Sequence, residues 1–231
     1  MIEQAIYYTI LFQSGNCIEL EHRLDVKKLK EQLKQFDDNW KPYNPRKHNV
    51  NREGLSITSL DGKLSGVPDL DSIGEYNSIN KTDIKPEDIN KPTIVYKNTL
   101  LQEFLKPFDP WLCWSHFIKL KPGGHFPIHM DNVSENILNI DTIRILIPIQ
   151  NSNWPYCCFL LDKQILEFEY GKCYAINTRL PHLIFNPSSK DNINIILNIK
   201  ITEESIQQIG KLFPSIASIM NKGNIDRYVN N

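Results

Sequence analysis

Alanine is nearly missing from this 231-residue chain, occurring only at Ala5, Ala175 and Ala217, while isoleucine and asparagine are abundant. That bias suits strands better than long helices. No sign of charge dominates: 26 lysines and arginines face 27 acidic residues, a formal net charge of −1. The balance excludes a broad electrostatic grip on nucleic acid as the main activity. Long apolar runs are also lacking. Stretches such as Ile143–Ile149, broken by Arg144, fall short of the ~18–20 residues that a membrane span requires. The N-terminal MIEQAIYYTILFQSGN lacks a basic leader and has only a short apolar stretch, so it reads as a first β-strand rather than a signal peptide. There is no CxxC motif, and the five cysteines (Cys17, Cys113, Cys157, Cys158, Cys173) read as reduced core thiols of a cytoplasmic protein. What remains is ordinary globular composition, 41% hydrophobic and 23% charged, in a chain long enough for one domain with its own core.

Residues 25–36, DVKKLKEQLKQF, place Val26, Leu29, Leu33 and Phe36 at helical spacing behind Asp25 as N-cap. Prolines at 42 and 45 mark a loop, a strand is expected at Gly54–Leu60, and residues 61–92 read as a long surface excursion. A second helix is expected at Asn98–Lys106, ended by Pro107 and Pro110. The middle of the chain then changes character. Short strands are expected at Cys113–Leu120, Phe126–Met130, Thr142–Gln150, Cys157–Leu161, Gln164–Glu169, Lys172–Ile176, His182–Asn186 and Ile193–Ile201. So many closely spaced strands predict an α+β fold built on a jelly roll. A C-terminal helix at Glu203–Met220 carries an apolar stripe through Ile206, Ile209, Leu212, Ile216 and Ile219, a face that could pair two copies of the chain.

The chemistry lies in KPGGHFPIHMD at 121–131. In an extended segment His129 and Asp131 project to one face. An imidazole and a carboxylate there can share a divalent ion, and His182 in RLPHLIFN is the candidate third ligand. Two histidines and a carboxylate with open positions suit non-haem Fe(II), although zinc accepts the same donors. Arg144 stands between isoleucines, so its charge needs an anion: a structural carboxylate, or one carboxylate of a dicarboxylic cosubstrate held bidentately.

On these residues the sequence resembles the aspartyl/asparaginyl β-hydroxylase and proline 3-hydroxylase group of Fe(II)/2-oxoglutarate oxygenases. HFPIHMDN is similar to the metal-binding strand of that group, TIRILIPIQN to the strand with a cosubstrate arginine, and PHLIFNPSSKDN to the strand with the distal histidine. NREGLSITSLDG at 51–62 is a weaker match to a front segment. The resemblance covers residues 111–201. It implies a double-stranded β-helix (jelly-roll, cupin-like) core with flanking helices, in one oxygenase domain spanning 1–231. Within it, 1–110 would hold helices, strands and loops, 111–201 the core and 202–231 the tail. It further implies iron on His129, Asp131 and His182, with 2-oxoglutarate on Arg144. The second cosubstrate arginine of the group is asparagine here (Asn192). Asn192, Asn194 or Asn198 could donate hydrogen bonds in its place, or Arg179 could reach in, and Ser115 could face the cosubstrate.

The implied activity is hydroxylation of a C–H bond in a free, proline-like amino acid or in an amino-acid side chain of a peptide, with 2-oxoglutarate converted to succinate and CO2. The partner is then a small molecule or peptide, with neither membrane nor nucleic acid. The alternatives are a non-catalytic jelly-roll binding module with a vestigial metal site, and a metal-dependent cupin-type enzyme without 2-oxoglutarate. The pocket is expected to draw on the 37–92 loops and the C-terminal helix. Trp111, Trp114 and Trp154 read as core, His116 as a structural histidine, and His125 as a residue of the mouth or surface. Asn51 and Arg52 stay open between substrate contact and surface loop.

Overall fold

The computed structural model describes residues 2–131 and 142–214. The elements are α1 (Ile2–Leu11), β1 (Cys17–Arg23), α2 (Val26–Leu33), β2 (Lys41–Pro42), β3 (Arg52–Ser56), β4 (Thr58–Ser59), α3 (Ile73–Asn80), β5 (Lys91–Pro92), α4 (Ile94–Lys97) and α5 (Leu101–Phe104). The core strands follow: β6 (Leu112–Leu120), β7 (His125–His129), β8 (Thr142–Gln150), β9 (Cys158–Leu161), β10 (Gln164–Ile165), β11 (Lys172–Ile176), β12 (His182–Phe185) and β13 (Asn192–Lys200), before α6 (Glu203–Gly210).

Two antiparallel sheets face each other: a larger one ordered β1-β11-β8-β13-β6-β3-β2 and a smaller one ordered β10-β9-β12-β7. The fold is α+β, a double-stranded β-helix core with flanking helices. Strand alternation sets its layers. Ile143, Ile145, Ile147, Ile195, Leu197 and Ile199 point outward from the large sheet onto Tyr8, Leu11, Leu29, Leu33, Phe104 and Ile209 of the helical layer. Their even-numbered neighbours Ile118, Leu120, Leu146, Ile176 and Ile196 point inward toward Phe159 and Leu161 of the small sheet. The central strands are apolar on both sides because both faces are covered.

Several expectations need correction. The N-terminus is a helix, not a strand. Ala5, Tyr8, Leu11 and Phe12 recur at helical spacing and seat it on the large sheet, leaving Ile6 and Ile10 exposed. The expected helix at 98–106 shortens to α5 at Leu101–Phe104, and a separate short helix, α4 at Ile94–Lys97, precedes it. Thr93 caps α4 by accepting from the Val95 amide at 3.2 Å, and the Thr99 hydroxyl donates to the Val95 carbonyl at 2.8 Å between them. Residues 61–92 are not wholly a surface excursion. They contain α3, and Asp69, Leu70, Asp71 and Ile89 are buried against the core strands. The strand expected at 164–169 stops at Ile165. Beyond it Asn153 takes over, donating to the Phe168 carbonyl and accepting from its amide, each at 2.8 Å. Trp154 is exposed at the surface rather than in the core. The C-terminal helix expected at 203–220 ends at Gly210, where the chain turns ahead of Pro214, and Ile206, Ile209 and Leu212 of its stripe pack on the chain's own core. Ile216 and Ile219 lie outside the described residues. Among the described residues no helix is long and apolar enough to cross a membrane.

Candidate functional site

His129 ends β7 and His182 begins β12, and these residues are direct cross-strand partners. Their rings lie 4.2 Å apart between centroids. Asp131 follows β7, its amide bonded to the Thr178 carbonyl at 2.9 Å. One donor atom from each of the three residues falls within 4.8 Å of the others. The local bonding orients them. The His129 Nδ1 lies 2.7 Å from the Pro127 carbonyl, and the His182 Nδ1 lies 3.0 Å from the Leu180 carbonyl. A carbonyl only accepts, so both Nδ1 atoms carry the proton and both Nε2 atoms are left as donors to a metal. Those Nε2 atoms stand 3.5 Å and 4.0 Å from Asp131 Oδ1. Two imidazole nitrogens and one carboxylate oxygen converge from one side, a donor set that fits a divalent ion with open positions.

Electrostatics favour an anionic Asp131. Burial alone would raise its pKa, but the adjacent Arg144 guanidinium and the two imidazoles override that and hold it well below the usual carboxylate range. Hydrogen bonding to Asp131 raises the His129 pKa, whereas burial lowers that of His182. His182 is the deeper of the two, 3% exposed.

Arg144 on β8 pairs with Asp131 Oδ2 and also donates to Asn198 Oδ1 at 3.3 and 3.4 Å. Arg144 thus stands directly beside the carboxylate of the cluster. The other suggested cosubstrate contacts do not face the cavity. Ser115 is buried, donating its hydroxyl to the Cys113 carbonyl and accepting from the Asn198 amide, so it holds an irregularity between β6 and β13. Asn192 donates to the carbonyls of Gln150 and Asn151, and Asn194 donates to Asn192 Oδ1 at 2.9 Å. Both amides are consumed by the turn after β8. Arg179 is absent from the cavity wall.

The cluster opens onto a cavity of about 580 Å³ between the two sheets. Its walls include Tyr43, Arg52, Trp114, His116, Phe126 and Arg144. The loop before β3 does contribute, but α6 lies on the opposite side of the large sheet and does not. That loop is tied down by Arg46, which pairs with buried Asp71, and by Lys47, 2.8 Å from Glu75. His116 is both buried and on the cavity wall, and desolvation, with the Arg144 charge adding to it, pushes its imidazole down to about 3. Tyr43 and Asp71 gave no sequence signal, because they come from loops far from the motif. Phe126 lay inside the motif and reads as core until the fold is known.

No protein-family model matches the chain, and no curated protein matches it in sequence. Among solved structures it is similar to a prolyl-4-hydroxylase from Pseudomonas putida, with 11% identity, a TM-score of 0.47, and 87% of this chain and 100% of that chain covered. A 2OG-Fe(II) oxygenase family oxidoreductase from Burkholderia pseudomallei gives 7% identity and a TM-score of 0.31, over 39% of this chain and 43% of that one. An RmlC-like cupin from Shewanella frigidimarina gives 13% identity and a TM-score of 0.29, over 42% and 73%. At such identities and scores the similarity identifies neither an activity nor a ligand.

Proposed function

We propose that this chain is an Fe(II)/2-oxoglutarate-dependent hydroxylase acting on a free, proline-like amino acid or on an amino-acid side chain in a peptide. The observation that carries the reading is the convergence of His129 Nε2, His182 Nε2 and Asp131 Oδ1 at the wall of a partly apolar cavity. Iron(II), when bound, supplies the redox chemistry with dioxygen that hydroxylates an unactivated C–H bond at the expense of 2-oxoglutarate. The residues of the chain do the rest. Pro127 and Leu180 fix the imidazole tautomers through their carbonyls, and Arg144 holds one oxygen of Asp131 so that the other faces the imidazoles. Phe159, Ile176 and Ile196 keep the surroundings dry. No residue is required as a general base, and burial makes the His116 imidazole a weak one.

Anaerobic addition of Fe(II) and 2-oxoglutarate is expected to produce a weak visible charge-transfer band, absent in His129→Ala, and aerobic incubation with amino acids to release succinate. No band and no succinate with any amino-acid pool would sink the reading. The Arg144–Asp131 pair favours a second one, a metal-dependent jelly-roll protein without 2-oxoglutarate. Its signature is a thermal shift with metal but none with 2-oxoglutarate.

A further inference from the structure

Three cations line the cavity: Arg144, Lys47 and Arg52. Arg144 is committed to Asp131 and Asn198, and Lys47 to Glu75. Arg52 has no such commitment. It is 7% exposed, and among the described residues its guanidinium has neither a carboxylate partner nor a side-chain hydrogen bond, with Nε fully buried. Glu53 beside it in sequence is engaged by Lys119 and Lys121. The Arg52 guanidinium instead lies 4.0 Å above the Phe126 ring. A stacked ring offsets part of the desolvation of a guanidinium but gives its buried Nε–H no acceptor. Burial accordingly depresses the Arg52 pKa. A buried, unpaired cation is costly, and a ligand anion would satisfy it.

Its place in the sheet specifies that ligand. Arg52 is the cross-strand partner of Leu120, and Leu120 is the partner of Asn192, so the three share one row. Arg144 shares the row of Asn198 near the other end of β13. The two guanidiniums thus stand at opposite ends of the cavity. The Phe126 ring beneath Arg52 stacks on His129 at 6.1 Å between centroids, so a single aromatic ring separates the guanidinium from the metal-ligand cluster.

We propose that Arg52 is the carboxylate anchor of this cavity, taking the free carboxylate of an acid whose other end lies at His129, Asp131 and His182. The inference rests on the metal reading above for that other end only. The carboxylate could belong to the dicarboxylic cosubstrate or to an amino-acid substrate, and the test separates the two.

The full chain, free of metal, is titrated with glutarate at constant ionic strength and its melting followed. Wild type is expected to gain melting temperature saturably, Arg52→Met to need at least tenfold more glutarate, and Arg52→Lys to fall between them. Ligand-free Arg52→Met should melt no lower than wild type, because among the described residues the charge it removes has no anionic partner and methionine keeps contact with the Phe126 ring. If it does not fold, Arg52→Lys carries the test. Zn(II)-loaded wild type and Arg52→Met are then titrated with 2-oxoglutarate, with 2-oxobutanoate, which lacks the second carboxylate, and with L-proline. A tenfold loss confined to 2-oxoglutarate places the cosubstrate on Arg52. Unchanged 2-oxoglutarate affinity with a tenfold loss of L-proline binding places a substrate carboxylate there. A glutarate response that is missing in wild type, or equal in wild type and Arg52→Met, overturns the proposal. Failure of Zn(II) to shift wild type, with the glutarate difference intact, sinks the metal reading and leaves Arg52 standing.

Discussion

Asp69 is 1% exposed, accepts a 2.9 Å hydrogen bond from the Leu60 amide through Oδ1, and leaves Oδ2 buried with no partner among the described residues. Burial pushes its carboxyl up to about 6 from 3.8. A group whose pKa is raised by folding contributes stability below its unfolded value, and that contribution is lost as pH rises through the folded one. Asp69 therefore favours the fold below about pH 4 and opposes it above about pH 6. Asp69→Asn keeps the oxygen that Leu60 needs. It should raise stability by roughly 2 kcal/mol at pH 8 and by little at pH 4, checked by melting at both values. Sequence gives the identity of such a residue but not its solvation. Ser115, Asn192 and Asn194 teach the same lesson: each is polar and near the motif, and each is consumed by backbone groups that only the folded chain brings to it.

Elements were legible where periodicity met a local signal. The helix at 26–33 is capped by Asp25, whose carboxylate accepts from the Lys28 amide at 3.0 Å, and Asp25→Ala should cost ~1 kcal/mol in chemical denaturation. The strands Thr142–Gln150 and Lys172–Ile176 have the boundaries that their alternation indicated. The N-terminal helix has no such local signal: its isoleucines favour strands in isolation, and its buried face exists only because the large sheet needs a cover. The turn between β6 and β7 carries a tighter constraint. A Cβ at Gly124 would meet the Asn51 carbonyl oxygen at 2.5 Å and that of Lys121 at 2.7 Å. Both are backbone atoms and cannot rotate away. Gly124→Ala should thus destabilise by about 2 kcal/mol or more, with a lower midpoint in urea, and should disturb His125 and Phe126 first.

For the molecule as a whole, the metal cluster joins the two strands β7 and β12 of the small sheet, so an ion held there stabilises the folded state alone. Zn(II) or Mn(II) at a hundredfold excess over its Kd should add about 2.7 kcal/mol, visible as a rise in melting temperature that a chelator reverses. His182→Ala should abolish the rise. An unchanged melting temperature with either metal would remove the basis for any metal-dependent activity.

The order of residues alone determined the jelly-roll strands, the α2 helix and the three metal-ligand candidates, because alternation, capping and the spacing of His129 and Asp131 are local properties of the chain. Tertiary structure decided which cations and amides face the cavity. Arg144 turned to Asp131, Asn192 to the turn after β8, and Arg52 was left buried with no anion among the described residues, because pairing depends on which strands become neighbours and on how much water remains between them.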